Sequence, residues 1–169
     1  MTEKTFYLFW QKQLHRSQLF RFLTIFFAIY AALFFIVLGI VFLAVPETRA
    51  VAVVALLAFL ISKFLVCDFL ALIIHHPRPY QALNFTPVIF SRIFSLKTKV
   101  ARSFPSGHVM SIAAISTVLF AYDVSLGIAG FIIAAFAGAA RVIMGYHYPV
   151  DVIVGFILGV LVGLLTLLI

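Results

Sequence analysis

Long apolar segments separated by short polar ones dominate the pattern along this chain. A transmembrane α-helix needs about 20 mostly apolar residues. Five segments approach or exceed that length, namely residues 22–45, 50–74, 106–122, 124–140 and 150–169. The pattern therefore predicts an all-α fold, a polytopic transmembrane helix bundle with five spans.

The residues before the first span, 1–21, are basic and carry interspersed aromatic side chains. This composition is typical of a helix in the membrane interface, and a frayed basic tail is the alternative. The first uncharged run exceeds the roughly 7–15 residues of a signal-peptide core, so we expect a retained helix. The predicted division is a basic interfacial segment, 1–21, and a transmembrane domain, 22–169.

Composition agrees with a membrane protein. Hydrophobic residues make up 65% of the chain and charged residues 10%, against roughly 45–50% and 25% in soluble domains. The net charge of +7 would suggest nucleic acid for a soluble protein. Here most cations flank apolar spans, so the expected partners are membrane lipids and phosphate, and no nucleic acid. The single Cys67 excludes a cysteine-rich metal site.

The order of the spans places three polar clusters on the face that holds the N-terminus. The first span leaves this face and the second returns to it. The third and fourth begin and end there, and the fifth begins there. The clusters lie around Arg78, around His108, and between Arg141 and Asp151. Residues far apart in the sequence can therefore converge at one site.

The residue types in these clusters suit a phosphate ligand. Arg78 and Arg141 offer planar forks of donors to phosphate oxygens. Pro105-Ser106-Gly107-His108 opens the third span, and the free N–H groups of a helix N-terminus bind anions. The Ser106 hydroxyl adds another donor.

Two histidines and a carboxylate complete the set. One of His108 and His147 can attack phosphorus while the other protonates the leaving oxygen, since the ordinary histidine pKa lies near neutrality. Asp151 follows His147 by four residues, so a helical turn places them on one face, as for an orienting carboxylate. Taken singly, interfacial histidines and headgroup-binding arginines are the alternatives.

Three short motifs at these positions resemble those of the type 2 phosphatidic acid phosphatase (PAP2) family of membrane lipid phosphatases. They are Arg78-Pro79, Pro105-Ser106-Gly107-His108, and Arg141 with His147 and Asp151. The resemblance implies that His147 forms a phosphohistidine, with Asp151 orienting it and His108 as general acid. It implies that the phosphate is held by Arg78, Ser106, Gly107 and Arg141, without a metal or other cofactor.

The chain departs from the family pattern at two positions. Ala71 stands where the first motif usually has lysine, and Ala140 where the third usually has serine. We expect Arg102, just before the second motif, to supply the missing charge, and the alternatives are His75, His76, Lys97 and Lys99. The family often has six spans, and a sixth would precede the first one predicted here.

Two charges interrupt the second span. Lys63 is expected to be a poor substitute for the missing lysine, because fifteen residues of helix separate it from Arg78 by roughly 22 Å. Asp68 lies about 140° around an α-helix from Lys63, so we do not expect the two to pair. The expectation is a buried charge paired with another helix, and a role in substrate entry is the alternative. Residues 87–101 are predicted as an amphipathic segment that gates the site, with an inert loop as the alternative.

Together these features predict a phosphatase for a lipid phosphate or diphosphate, and the family resemblance implies undecaprenyl diphosphate as the first candidate. Phosphatidylglycerol phosphate, phosphatidic acid and lipid A are the others. A lipid phosphotransferase and a non-catalytic lipid-binding or transport protein are the alternatives. Ten of the twelve Lys and Arg residues lie on the N-terminal face, which favours a cytoplasmic site. The resemblance implies an external, periplasmic site in the cell membrane, and this is the expectation.

Overall fold

The computed structural model describes residues 2–88 and 102–169, and the regular elements in this part of the chain are helices. In chain order they are α1 (Glu3–Arg16), α2 (Gln18–Ala44), α3 (Pro46–Ile73), α4 (Pro79–Ala82), α5 (Gly107–Tyr122), α6 (Val124–Ile143) and α7 (Pro149–Thr166). Helices α2, α3, α6 and α7 are long and apolar enough to cross a membrane, and α5 is a shorter apolar helix. The predicted all-α transmembrane bundle is confirmed. Most of the predicted gating segment, 87–101, lies outside the described residues.

Two helices extend beyond their predicted ends. Helix α2 begins at Gln18, four residues before the predicted span, because the Ser17 hydroxyl accepts a hydrogen bond from the Phe20 N–H and caps it. Helix α6 continues to Ile143, so that Arg141 lies in its last turn. A cation is favourable there, near the negative end of the helix dipole.

The short helix α5 lies at the centre of the bundle. Most of its residues are buried, and it packs against α3, α6 and α7. Helices α2 and α3 instead expose large apolar side chains, such as Val37 and Leu65. Exposed apolar surface on this scale is expected where lipid, not water, surrounds a helix.

The close packing of α5 on α7 depends on glycines spaced four residues apart. A methyl group at Gly155 would lie 2.8 Å from the carbonyl oxygen of Ser106, and one at Gly159 would lie 2.3 Å from that of Met110. Gly163 continues the same stripe toward the end of α7. Transmembrane helices approach this closely where small residues line the contact. The predicted packing role of this stripe is confirmed.

Replacement of a glycine in this stripe should weaken the bundle. We expect Gly159→Ala to lower the melting temperature by several degrees, because overpacking costs about 1–3 kcal/mol. Gly39→Ala is the matched control, since no atom of the described residues lies within 4 Å of its added methyl group. A thiol-reactive fluorophore can follow unfolding in detergent, because Cys67 is the single cysteine and is buried. Equal melting temperatures for the two variants would contradict the packing role.

Candidate active site

The polar segments that carry the predicted residues meet at one end of the bundle. This end holds the C-terminal ends of α3 and α6 and the N-terminal ends of α5 and α7. An antiparallel bridge between Pro77 and Arg102 joins two of the segments. A backbone hydrogen bond of 3.0 Å from Ser106 to Asp151 joins the start of α5 to α7. Residues separated by many positions in the sequence are therefore neighbours here.

His147 is buried in the loop between α6 and α7, and one of its ring nitrogens is held. Its Nδ1 lies 2.7 Å from the carbonyl oxygen of Ser103. A carbonyl oxygen only accepts, so Nδ1 carries the proton and Nε2 carries the lone pair. Burial lowers the pKa of His147 from 6.5 to about 4, so the ring is neutral at neutral pH. This is the form of histidine that can attack an electrophile.

The carboxylate of Asp151 lies beside His147 and is bonded to the segments around it. Its Oδ2 is 3.8 Å from Nδ1 of His147. The same oxygen accepts hydrogen bonds from the Tyr148 N–H, at 2.8 Å, and from the Ser103 hydroxyl. Its Oδ1 is 3.3 Å from Nδ1 of His76. Asp151 therefore acts on His147 through its charge and by fixing Ser103, whose carbonyl holds the ring.

Two arginines form the positively charged part of the site, and both lie against the same aromatic ring. Arg141 is buried and donates from Nη1 to the carbonyl oxygen of Ala28, at 2.9 Å. The guanidinium carbons of Arg78 and Arg141 lie 5.8 and 5.9 Å from the centroid of the Tyr146 ring, within cation–π range. Both charges also act on His147. The arrangement concentrates positive charge next to the neutral imidazole of His147.

The first turn of α5 supplies the remaining predicted residues. Ser106 is its N-cap and is fully buried, and its hydroxyl has no hydrogen-bond partner within residues 2–88 and 102–169. Gly107 is the first residue of the helix, whose free N–H groups favour an anion. The ring of His108 interacts electrostatically with Arg141 and His147. Because an unsatisfied buried hydroxyl is costly, we expect a ligand to bond to Ser106.

An apolar groove leads away from this site along α2, α3 and α5. Its volume is about 470 Å³, within the range of about 300–1,000 Å³ for ligand pockets. Lys63, Gly107 and His108 line the end at the site, and Phe42 and Leu43 line the end toward the opposite face. The groove therefore suits a hydrocarbon chain whose polar end lies beside the histidines.

The arrangement of Lys63 and Asp68 differs from the prediction. The expectation that they lie on different faces was wrong, because Nζ of Lys63 is 2.6 Å from Oδ1 of Asp68. The stretch Ile61–Cys67 is a π-helix, whose hydrogen bonds join residues five apart and bring such residues onto one face. Lys63 also reaches the first turn of α5, since a methyl group on Gly107 would lie 3.9 Å from its Nζ. The distance of Lys63 from Arg78 along the helix did not predict that Lys63 lies close to Gly107.

Arg102 lies next to the position whose missing charge it was expected to replace. Its Nη1 donates to the carbonyl oxygen of Ala71, and its Nη2 lies 3.2 Å from Nε2 of His75. The guanidinium therefore binds near the C-terminal end of α3, where a cation is favourable. Its role in holding a phosphate stays a prediction.

Helix α1 contributes contacts that the sequence analysis missed. The buried Tyr7 hydroxyl donates to the carbonyl oxygen of His147 at 3.3 Å, and Gln11 Nε2 donates to that of Ile143 at 2.9 Å. Burial raises the pKa of Tyr7, so its hydroxyl stays protonated. Gln11 Oε1 also accepts from the Val88 N–H at 2.7 Å. The basic, aromatic pattern of this segment is equally consistent with an interfacial helix that makes no contact with the site. The sequence therefore did not predict these hydrogen bonds.

Comparisons with known proteins concern the family and the fold of the chain. The sequence model of the PAP2 superfamily matches residues 51–169. The chain is 27% identical over 136 residues to the bacitracin transport permease protein BcrC of Bacillus licheniformis. That alignment covers 78% of the chain and 63% of the relative, so the chain spans less than two thirds of the relative's length.

A solved structure shares the fold. The crystal structure of a transmembrane PAP2-type phosphatidylglycerolphosphate phosphatase from Bacillus subtilis superposes with a TM-score of 0.64 and 22% sequence identity. The match covers 96% of this chain and 90% of that one. At this identity the likeness concerns the helical fold alone.

Removal of the α1 contacts should destabilise the loop that carries His147. We expect Gln11→Leu to lower the melting temperature, because loss of a partner from a buried polar group costs about 1–3 kcal/mol. Gln18→Leu, exposed at the start of α2, is the matched control. The fluorophore assay on Cys67 measures both. A Gln11→Leu protein as stable as Gln18→Leu would show that α1 does not support the site.

Proposed function

The chain belongs to the PAP2 superfamily and is a multi-pass membrane protein, and we propose that it removes phosphate from a lipid phosphate or diphosphate through a phosphohistidine on His147. One observation carries the proposal. The neutral, buried ring of His147 is held at Nδ1 by the Ser103 carbonyl oxygen, 2.7 Å away, which leaves Nε2 for attack. The charges of Arg78 and Arg141 act on the same ring.

In the proposed complex, the terminal phosphate lies between the two arginines and the first turn of α5. Arg78 and Arg141 neutralise its charge, and Ser106 and the Gly107 N–H donate hydrogen bonds to its oxygens. The unpartnered, buried hydroxyl of Ser106 supports this placement. Catalysis of phosphoryl transfer consists largely of positioning and charge stabilisation. The proposal includes no metal ion, because these groups supply the positive charge.

The proposed reaction has two steps. Nε2 of His147 forms a bond to phosphorus while the bond from phosphorus to the leaving oxygen breaks. His108, which lines the groove where the leaving group lies, donates a proton to that oxygen. Water then attacks phosphorus and gives a proton to His108, the N–P bond breaks, and inorganic phosphate is released. The ring gains positive charge in the first step, and Asp151, 3.8 Å from Nδ1, stabilises that charge.

The apolar groove supports a lipid substrate over a soluble phosphate ester. A hydrocarbon chain along α2, α3 and α5 would place its headgroup beside His108 and Gly107. Undecaprenyl diphosphate is the first candidate. Phosphatidylglycerol phosphate is the second, since the solved structure with the same fold is a phosphatase named for that lipid. We propose that the active site is at the external face of the membrane, as the family resemblance implies. The excess of Lys and Arg on this face would favour the cytoplasm, but part of it is explained by arginines that bind phosphate.

A transport protein is the alternative that a specific observation favours. The relative BcrC is named as a transport permease protein. A transporter would bind the lipid headgroup without cleaving it, and that binding would persist without His147. A phosphotransferase would instead pass the phosphate from His147 to an acceptor other than water.

Loss of the nucleophile should abolish phosphate release. Purified protein is assayed in detergent with undecaprenyl diphosphate, phosphatidylglycerol phosphate, phosphatidic acid and lipid A. We expect release from at least one lipid, and a fall of about 10³-fold or more for His147→Ala. His15→Ala, exposed on α1, should match the wild type. Rapid quenching in alkali should trap acid-labile phosphate on the wild type and none on His147→Ala.

Each other outcome of this experiment favours a different function. Equal phosphate release by wild type and His147→Ala would overturn the phosphohistidine. Lipid binding without release by either protein would favour the transporter. Transfer of label to a lipid acceptor, without free phosphate, would favour the phosphotransferase.

Arg102 is tested separately. If it contributes charge to the phosphate site, Arg102→Ala should lower kcat/KM by about tenfold, as expected for one charge-assisted contact. Arg16→Ala is the control, because Arg16 is exposed in the last turn of α1. A kcat/KM for Arg102→Ala equal to that of the control would remove Arg102 from the phosphate site and leave it a structural contact of α3.

A further inference from the structure

The ion pair of Lys63 and Asp68 occupies an unusual place for two charges. It lies within α3, a membrane-spanning helix, with the two side chains 36% and 48% exposed. Both therefore lie on the lateral surface of the bundle, toward the groove and the lipid. Charges at this depth are costly and are generally kept for a function.

Lys63 connects the groove with the site. It lines the groove together with Gly107 and His108. A methyl group on Gly107 would lie 3.9 Å from Nζ and 3.7 Å from Cδ of Lys63. Its charge also acts on the His108 ring. The ammonium group therefore lies where the hydrocarbon part of a bound lipid would meet its headgroup.

The order of groups in a bound lipid diphosphate determines what faces Lys63. The chain occupies the groove and the outer phosphate lies at His147, so the inner phosphate comes between them. His108 would then face the bridging oxygen. In a lipid monophosphate on the same chain, the position of the inner phosphate holds uncharged carbon and ester oxygen.

Resting on the proposed function, we infer that Lys63 binds the inner phosphate of a lipid diphosphate and makes the site prefer diphosphates to monophosphates. In the first step, the N–P bond forms between His147 and the outer phosphorus. The bond from that phosphorus to the bridging oxygen breaks, and its electron pair stays on that oxygen, which becomes part of the departing lipid monophosphate. Lys63 neutralises charge on this leaving group. Asp68, 2.6 Å from Nζ, holds the ammonium group when no diphosphate is bound.

The π-helical turn explains how one residue can serve both states. Residues five apart share a face in a π-helix, so Asp68 lies within reach of Lys63, which itself lines the groove. A lysine side chain has four rotatable carbon units and three donors. Its head can therefore turn from Asp68 to a phosphate oxygen without a shift of the backbone.

The test compares two substrates that differ by one phosphate, farnesyl diphosphate and farnesyl monophosphate. The readout is the ratio of their kcat/KM values. We expect Lys63→Met to lower this ratio by about 10- to 100-fold, the value of one charge-assisted contact, and Lys63→Arg to restore most of it. Lys12→Met, exposed on α1, is the control and should leave the ratio unchanged.

Asp68→Asn separates a binding role from a structural one. Both Lys63→Met and Asp68→Asn break the ion pair, but only Lys63→Met removes the cation. We expect Asp68→Asn to keep the preference for the diphosphate. The inference would be overturned, and the pair would be structural, if Lys63→Met lowered kcat/KM equally for both substrates. The same conclusion would follow if Asp68→Asn and Lys63→Met had the same ratio of kcat/KM values.

The two proposals fail in different ways. If the wild type hydrolyses either substrate but Lys63→Met leaves the ratio unchanged, the inference is overturned and the phosphatase stands. A wild type whose kcat/KM is higher for the monophosphate than for the diphosphate would also overturn the inference and leave the phosphatase proposal standing. A wild type that hydrolyses neither these substrates nor any of the four lipids above overturns both.

Discussion

Backbone contact between α5 and α7 joins the two halves of the site, the first turn of α5 and the segment that carries His147 and Asp151. The Ser106 N–H donates to the Asp151 carbonyl oxygen, and Gly155 leaves room for the Ser106 backbone to approach α7. One side of this contact carries the first turn of α5, the proposed anion site, and the other carries Asp151 and the His147 loop. A larger residue at Gly155 would separate the two sides. The spacing of glycines on α7 is thus a condition for the chemistry as well as for packing.

The electrostatics of the site follow from burial. Arg78 and Arg141 bring two positive charges into a region where desolvation is expensive. The Ala28 carbonyl oxygen and the face of Tyr146 offset part of that cost. A phosphate dianion would bind to donors that are already oriented and already desolvated, so little reorganisation accompanies binding. This preorganisation is the physical basis for assigning phosphate chemistry to this end of the bundle.

The sequence predicted those features that depend on local pattern. Apolar length predicted the helices, and the order of spans predicted that the segments around Arg78, His108 and His147 meet. It could not predict the Lys63–Asp68 pair, because a π-helical turn changes the angular spacing without a clear signature in residue types. Nor could it identify Ser103, which holds His147 through a backbone carbonyl that every residue possesses.

The length of α5 links the site to the thickness of the surrounding bilayer. Its 16 residues extend about 24 Å, less than the roughly 30 Å of a typical hydrocarbon core. Lipid reaches this central helix through the groove that α5 forms with α2 and α3, and a bilayer thins where the apolar span of a protein is shorter than its own thickness, at a modest cost per ångström of mismatch. A thicker bilayer would hold lipid headgroups farther from the first turn of α5, and a thinner one would bring them nearer. The acyl composition of the host membrane thereby becomes one of the variables that set how readily a headgroup reaches His147.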